Sequence, residues 1–389
     1  MGSTVVCGVH RRAALPLALA LLASGAAADV RAGACAGWPA WTGFRESFVS
    51  GDGRVIDRST PRQHTVSEAQ AYALVFALAA DERGDFERIL AWTTDNLARG
   101  DLTQHLPAWQ WGRRDDGSWG PLDANSATDA DLWLAWALAQ AGRHWNAPGY
   151  LDLSHAIAAR VLRDSVADVP RLGPVLLPAP EGFRDADGGV RLDPAYLPLQ
   201  VLRGLAAAHA EQRERWQALT DSTIEVLHRS APRGLAPDWV RVDRDGRFGF
   251  TTPADAVGSY DAIRVYLWLG LLNPAEPARA ALLRRFRPMA RLVRRLGGPP
   301  ERVDARTGHA WRGDAPGAFS AAVAPWLSGT EPGLARRQWQ RATERAPARD
   351  EYYGRALVLF AEGWREGRLR FGPAGELLRT EERCVANDG

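Results

Sequence analysis

Residues 126–141, SATDADLWLAWALAQA, are apolar on every side of a 3.6-residue helix once their acidic first turn is passed. A helix with no polar stripe belongs inside a protein, not on its surface. Five further runs share this character: AQAYALVFALAA (69–80), AYLPLQVLRGLAAA (195–208), YDAIRVYLWLGLL (260–272), AFSAAVAPWL (318–327) and EYYGRALVLFAEGW (351–364). Between them lie amphipathic, arginine-studded runs such as DFERILAWTTDNLARG, EQRERWQALTDSTIEVL and ARAALLRRFRPMARLVRRL, which suit a surface position. The periodicity predicts twelve helices, starting near Trp38, Ser67, Asp85, Asp129, Tyr150, Ala195, Glu211, Ser259, Pro277, Ala318, Leu334 and Glu351.

The connections alternate too. Apolar helices leave through short links, whereas most are entered through long Gly/Pro/Asp-rich stretches: 101–128, 169–194, 233–258 and 297–317. If six inner helices run parallel inside six outer ones, every long loop lands at the inner N-termini. That arrangement is an all-α (α/α)6 barrel. Its looped face is the expected working surface, because long structureless connections in compact domains are usually functional. VRVDRDGRFGF (240–250) carries an Asp-Gly hairpin signal within one such loop.

Composition narrows the function. The chain has 389 residues, 46% of them apolar, and a net charge of +2. Its basic residues are all arginine and are interspersed with acids, which argues against nucleic-acid or membrane-surface partners. Sixteen tryptophans point to flat apolar ligands, although large cores use Trp as well. His10-Arg11-Arg12, the apolar run 13–25 and Ala26-Ala27-Ala28 read as a signal peptide over 1–28, leaving a single domain over 29–389 with no membrane span. Cys7 leaves with the signal. Cys35 and Cys384 then form an even pair in a compartment that permits disulfides, and a bridge between them is expected. The eight histidines and the remaining cysteines show no metal-ligand spacing, so neither metal nor cofactor is expected.

Three carboxylates fall at the starts of inner runs: Glu68, Asp129 and Asp261. Each has an ordinary explanation, since acids in a first turn favour the helix dipole. Thr65-Val66-Ser67-Glu68 has capping-box spacing, Asp129 is spaced to pair with Ser126, and Asp131 suits the dipole role. Together, however, acids on separate inner helices would converge on one cavity. Trp109, Trp111, Tyr196, Tyr260 and Trp239 fall on the same face, and carboxylates in an aromatic-walled cleft suit a sugar.

At these residues the chain resembles glycoside hydrolase family 8. SEAQAYALVFALAA, NSATDADLWLAWAL and SYDAIRVYLWLG carry the likeness, and GRVIDRSTPRQHTVSEAQAYAL, LPAWQWG, DPAYLP, APDWVRV and FGPAGELL extend it in order across the mature chain. It is most similar to the periplasmic members encoded beside bacterial cellulose synthases. The resemblance implies endo-acting cleavage of a β-1,4-glucan with inversion, in the periplasm or else outside the cell, by a monomer that can work beside the cellulose synthase machinery. It implies Glu68 as proton donor, Asp261 as base and Asp129 as the acid that binds the sugar at the cut. It also places Tyr196, Tyr260 and Arg264 around that sugar. The i,i+3 spacing of Asp261 and Arg264 suits either an arginine that orients the base or an ordinary ion pair; Tyr260 is expected to bond the attacking water or the base, and Trp109 and Trp111 to stack more distant glucosyl units or else to serve the core. Ala69, Ala71 and Ala73 depart from the family's Gly, Ser and Gly. Two readings stay beside this one: a non-catalytic glycan-binding scaffold, and a family member acting on xylan or chitosan. A general acid needs a raised pKa, so burial and repulsion from an ionised Asp129 are expected to keep the proton on Glu68.

Overall fold

A computed structural model describes residues 1–2, 37–311 and 315–378; Cys35, Cys384 and nearly all of the segment read as a signal peptide lie outside them. The described residues hold twelve α-helices in two alternating sets. The outer set is α1 (Pro39–Phe48), α3 (Arg83–Leu97), α5 (Pro148–Asp164), α7 (Arg213–Arg229), α9 (Arg279–Leu296) and α11 (Pro332–Glu344). The inner set is α2 (Ser67–Ala79), α4 (Thr128–His144), α6 (Leu199–Ala208), α8 (Ile263–Leu271), α10 (Gly317–Ser328) and α12 (Tyr352–Arg365). Each inner helix packs on the next, and α12 returns to α2, so the ring closes as an (α/α)6 toroid.

Burial follows the sequence pattern. Every residue of α8 is buried, whereas α9 buries one stripe: Leu282, Leu283, Phe286, Met289, Ala290, Leu292 and Val293. Aromatic rings fill the axis. Phe360 of α12 meets Tyr72 and Phe76 of α2, Trp133 of α4 and Trp268 of α8, with centroids 4.6–5.4 Å apart. Such pairs add about 0.5–1.5 kcal/mol each beyond their buried area. Much of the tryptophan content is therefore structural: Trp38, Trp41, Trp133, Trp136, Trp216 and Trp326 are fully buried. Where α8 approaches α10, a Cβ on Gly270 would lie 2.4 Å from the Trp326 amide nitrogen, so the close contact requires glycine.

Two inner helices begin later than their periodicity predicts. Before α6, Asp193 caps a 3-10 turn, Pro194–Tyr196, and Pro198 then separates that turn from the helix. Before α8, residues 259–262 form a turn held by another carboxylate, described below. The entry loops carry small sheets. Thr65–Val66 pairs with Gln110–Arg113, which pairs with Trp119–Asp123. Val240–Val242 pairs with Phe248–Gly249, the expected hairpin, and with Val190–Leu192. Val257–Gly258 pairs with Val303–Asp304. These sheets frame the inner N-termini.

Candidate active site

Arg264, in the first turn of α8, organises the looped face. Its guanidinium is 2% exposed and binds carboxylates from three parts of the ring. Nη1 donates to Glu68 Oε1 at the start of α2, and to Asp129 Oδ2 at the start of α4 at 3.3 Å. Nη2 donates to Asp261 Oδ1 at 2.9 Å. One planar fork thus holds acids separated by up to 193 residues, and the nearest oxygens of Glu68 and Asp261 are no more than about 8 Å apart, two hydrogen bonds plus the width of the fork. Side-chain exposure rises from Asp129 at 2% through Glu68 at 20% to Asp261 at 39%, which sets the trio on a path from the core toward the surface.

The local structure at Glu68 differs from a capping box. Thr65 is extended and paired with Trp111, and its hydroxyl donates to the Val55 carbonyl at 2.7 Å and accepts from Arg54 Nε at 2.8 Å. The helix begins at Ser67 with Val66 as N-cap and no side-chain cap bond, which leaves the Glu68 carboxylate free to face Arg264. One helical turn on, Tyr72 Oη lies 3.4 Å from Glu68 Oε1. Asp129 bonds the amide of Ala130 at 2.8 Å, not Ser126. Asp131 is wholly buried, which pushes its carboxyl well above the usual range.

The shifts of Glu68 and Asp129 run opposite to the order expected from the sequence. Burial pushes Glu68 up, but the Arg264 charge and hydrogen bonds from Asp129, Arg264 and Tyr72 carry it below the ordinary carboxylate range. Burial and the Glu68 charge push Asp129 well above that range. Of the two acids, Asp129 is shifted toward its protonated form and Glu68 toward its ionised form. Arg264 faces Glu68 more closely than it faces Asp129, which is why the two shifts differ in sign. Asp261 is also raised, by burial, with Arg264 opposing.

The aromatic residues divide. Tyr196 lies 5.4 Å from the Arg264 guanidinium, beside the carboxylates. Tyr260 is 43% exposed, and its hydroxyl donates to Glu301 at 3.0 Å, which ties it to the entry loop 297–317. Trp109 is half-buried; its carbonyl accepts the Ser67 amide at 2.9 Å, so its backbone supports the start of α2. Trp111 is stacked on Trp119 with centroids 5.3 Å apart and lies 4.3 Å from the Arg54 guanidinium. The exposed ring of that stack is Trp119, at 44%. Trp239 stacks on Phe183, 5.8 Å away, beneath Arg191. Ala69, Ala71 and Ala73 are all buried in the core.

Several residues of the site were not legible as such. Asp193, 2% exposed, caps the turn that carries Tyr196 through the Ala195 amide at 2.8 Å, and burial pushes it well above the carboxylate range. Tyr353 and Asp238 hold the turn that carries Asp261. Tyr72 had a signal in its i+4 spacing from Glu68; Asp238 and Trp119 had none beyond residue type. Among the described residues, no group of three or more His, Cys, Asp or Glu could hold a metal ion.

Comparison with known proteins gives a consistent family. The model of glycosyl hydrolases family 8 matches residues 16–367. An endoglucanase of Escherichia coli (strain K12) is 42% identical over 350 residues, covering 90% of this chain and 93% of that one. An endoglucanase of Xanthomonas axonopodis pv. citri (strain 306) is 44% identical over 352 residues, covering 88% and 89%. Among solved structures, the endo-1,4-D-glucanase of Vibrio fischeri ES114 superposes with a TM-score of 0.83 at 39% identity, covering 88% of this chain and 99% of that one.

Proposed function

The chain belongs to glycosyl hydrolases family 8, and from that membership we propose that it is an endo-1,4-β-glucanase that cuts internal bonds of a cellulose-type chain with inversion at the anomeric carbon. The observation that carries this reading is the convergence of Glu68, Asp129 and Asp261 on the Arg264 fork at the mouth of the ring.

In the proposed reaction Glu68 protonates the leaving glycosidic oxygen, and Asp261 takes a proton from a water that attacks the anomeric carbon from the opposite face. The C–O bond to the leaving sugar breaks as the bond to water forms. In this reading Asp129, pushed toward its protonated form beside Glu68, supplies the proton that Glu68 delivers. Arg264 keeps the resting site from accumulating uncompensated negative charge. Burial raises Asp261, and that makes it a stronger base than an exposed aspartate.

Trp119 replaces Trp111 in the proposed binding surface. Its exposed ring, backed by Trp111, is a rigid plate on the Gln110–Arg113 and Trp119–Asp123 hairpin, whose strand partner leads directly into Glu68. Trp119→Ala is expected to weaken binding of long cello-oligosaccharides by about 1–2 kcal/mol, with melting temperature and cellotriose binding little changed. Isothermal titration with cellotriose and cellohexaose checks this.

We place the protein, as part of the same proposal, in the periplasm after removal of residues 1–28, as a single-domain monomer closed by a Cys35–Cys384 disulfide and trimming nascent glucan beside its synthase. Support comes from the sequence of the leader, and no helix of the described residues is long and apolar enough to cross a membrane. Viscometry on a soluble cellulose derivative tests the activity. An early drop in viscosity, absent for Asp261→Asn, is the expected result; binding of cello-oligosaccharides without any cleavage would favour a scaffold, and cleavage of xylan or chitosan instead would move the substrate.

A further inference from the structure

Asp261 is not within a helix. It lies in the turn 259–262 ahead of α8, with its side chain 39% exposed, so core packing does little to fix its direction. Side chains from elsewhere hold the turn. Arg264 grips the carboxylate, and Tyr353 Oη donates to the Tyr260 carbonyl at 2.5 Å. The most economical contact comes from Asp238, in the loop after α7. Its Oδ1 accepts the Ser259 amide at 2.7 Å and the Ala262 amide at 2.8 Å, the two backbone groups that bracket Tyr260 and Asp261.

Asp238 is itself anchored. Its amide donates to the Val257 carbonyl at 2.8 Å, and the chains meet so closely there that a Cβ on Gly258 would lie 1.9 Å from the Ala236 carbonyl oxygen. The loop around 236–238 and the strand Val257–Gly258 therefore form a fixed base for the turn.

We propose that Asp238 is a positioning residue for Asp261: it aims the Asp261 carboxylate at the attacking water by fixing the amides on either side, without touching substrate. This rests on Asp261 being the base of the proposed reaction. A carboxylate suits the task because hydrogen bonds to an ionised acceptor are roughly twice as strong as neutral ones. The groups facing it are Asp193, Asp261, Arg264 and Tyr353. Burial, opposed by the two amide bonds, raises Asp238 to about 6. It is ionised in neutral solution and loses its charge as pH falls through that value, so the brace slackens on the acidic side.

The test uses the full chain with Asp238→Ala and Asp238→Asn. Asp238→Ala is expected to lower kcat about ten- to a hundredfold on cellohexaose, with KM within about twofold, since a 1 Å misplacement can cost that much. Asp238→Asn keeps an oxygen acceptor and cannot titrate. It should recover part of kcat at neutral pH, and the wild-type advantage over it should shrink as pH falls through about 6. Amide exchange in residues 259–262 should accelerate in Asp238→Ala while exchange in α8 stays at the wild-type rate. Unchanged exchange in the turn overturns the proposal, as does an Asp238→Asn variant as impaired as Asp238→Ala with kcat and melting temperature falling together. A wild-type chain inactive on glucan would refute the proposed function instead, and the exchange measurement would still decide whether Asp238 holds the turn.

Discussion

Replacing Arg264 with leucine is expected to lower the unfolding free energy by about 3–5 kcal/mol at neutral pH, the cost of leaving buried carboxylates without their cation. The loss should shrink as the solution is acidified. In the wild type, Arg264 holds Glu68 below its ordinary range, so this interaction adds stability above the unfolded-state pKa and loses it as pH falls through the folded value. In the variant, burial acts on Glu68 unopposed, and the acid takes up a proton well before the wild type does. The two proteins therefore converge only below the ordinary carboxylate range, once Glu68 is protonated in both. Urea unfolding at neutral and acidic pH measures the difference. Equal losses at both would mean that Arg264 contributes packing rather than charge, and intact kcat with reduced stability would make its bond to Asp261 an ordinary ion pair.

Glu68→Gln should reduce kcat on cello-oligosaccharides by about 10²–10⁴, the usual contribution of a general acid. The amide can still accept from Arg264 and Tyr72, so the variant is expected to fold and to bind cellohexaose. A substrate with a dinitrophenolate leaving group needs no proton, and on it Glu68→Gln should regain most of its rate. Asp261→Asn should not regain it, because the attacking water still lacks its base. Similar losses for Glu68→Gln on both substrates would remove Glu68 from the role of acid.

The helical ring was legible because its two helix types have different burial. DLWLAWALAQA and YDAIRVYLWLGLL have no polar stripe, and ARAALLRRFRPMARLVRRL has one apolar stripe and seven arginines. The contact of Arg264 with Asp261 followed from i,i+3 spacing; its reach to α2 and α4 did not, since that depends on ring closure. The capping-box spacing at Thr65 misled because the extended strand claims that residue before the helix begins, and its hydroxyl is taken by Arg54 and Val55. Trp111 and Trp119 look equivalent in sequence. Hairpin register decides which ring is half-buried and which is exposed, and Asp238 likewise acquires its task from a loop packed against a distant turn.

The account centres on a proton held on one side of the sugar and a water activated on the other. Proton NMR of the first products released from a β-1,4-linked cello-oligosaccharide tests this most directly. The account predicts that the α-anomer appears first and then mutarotates toward equilibrium; initial release of the β-anomer would contradict it.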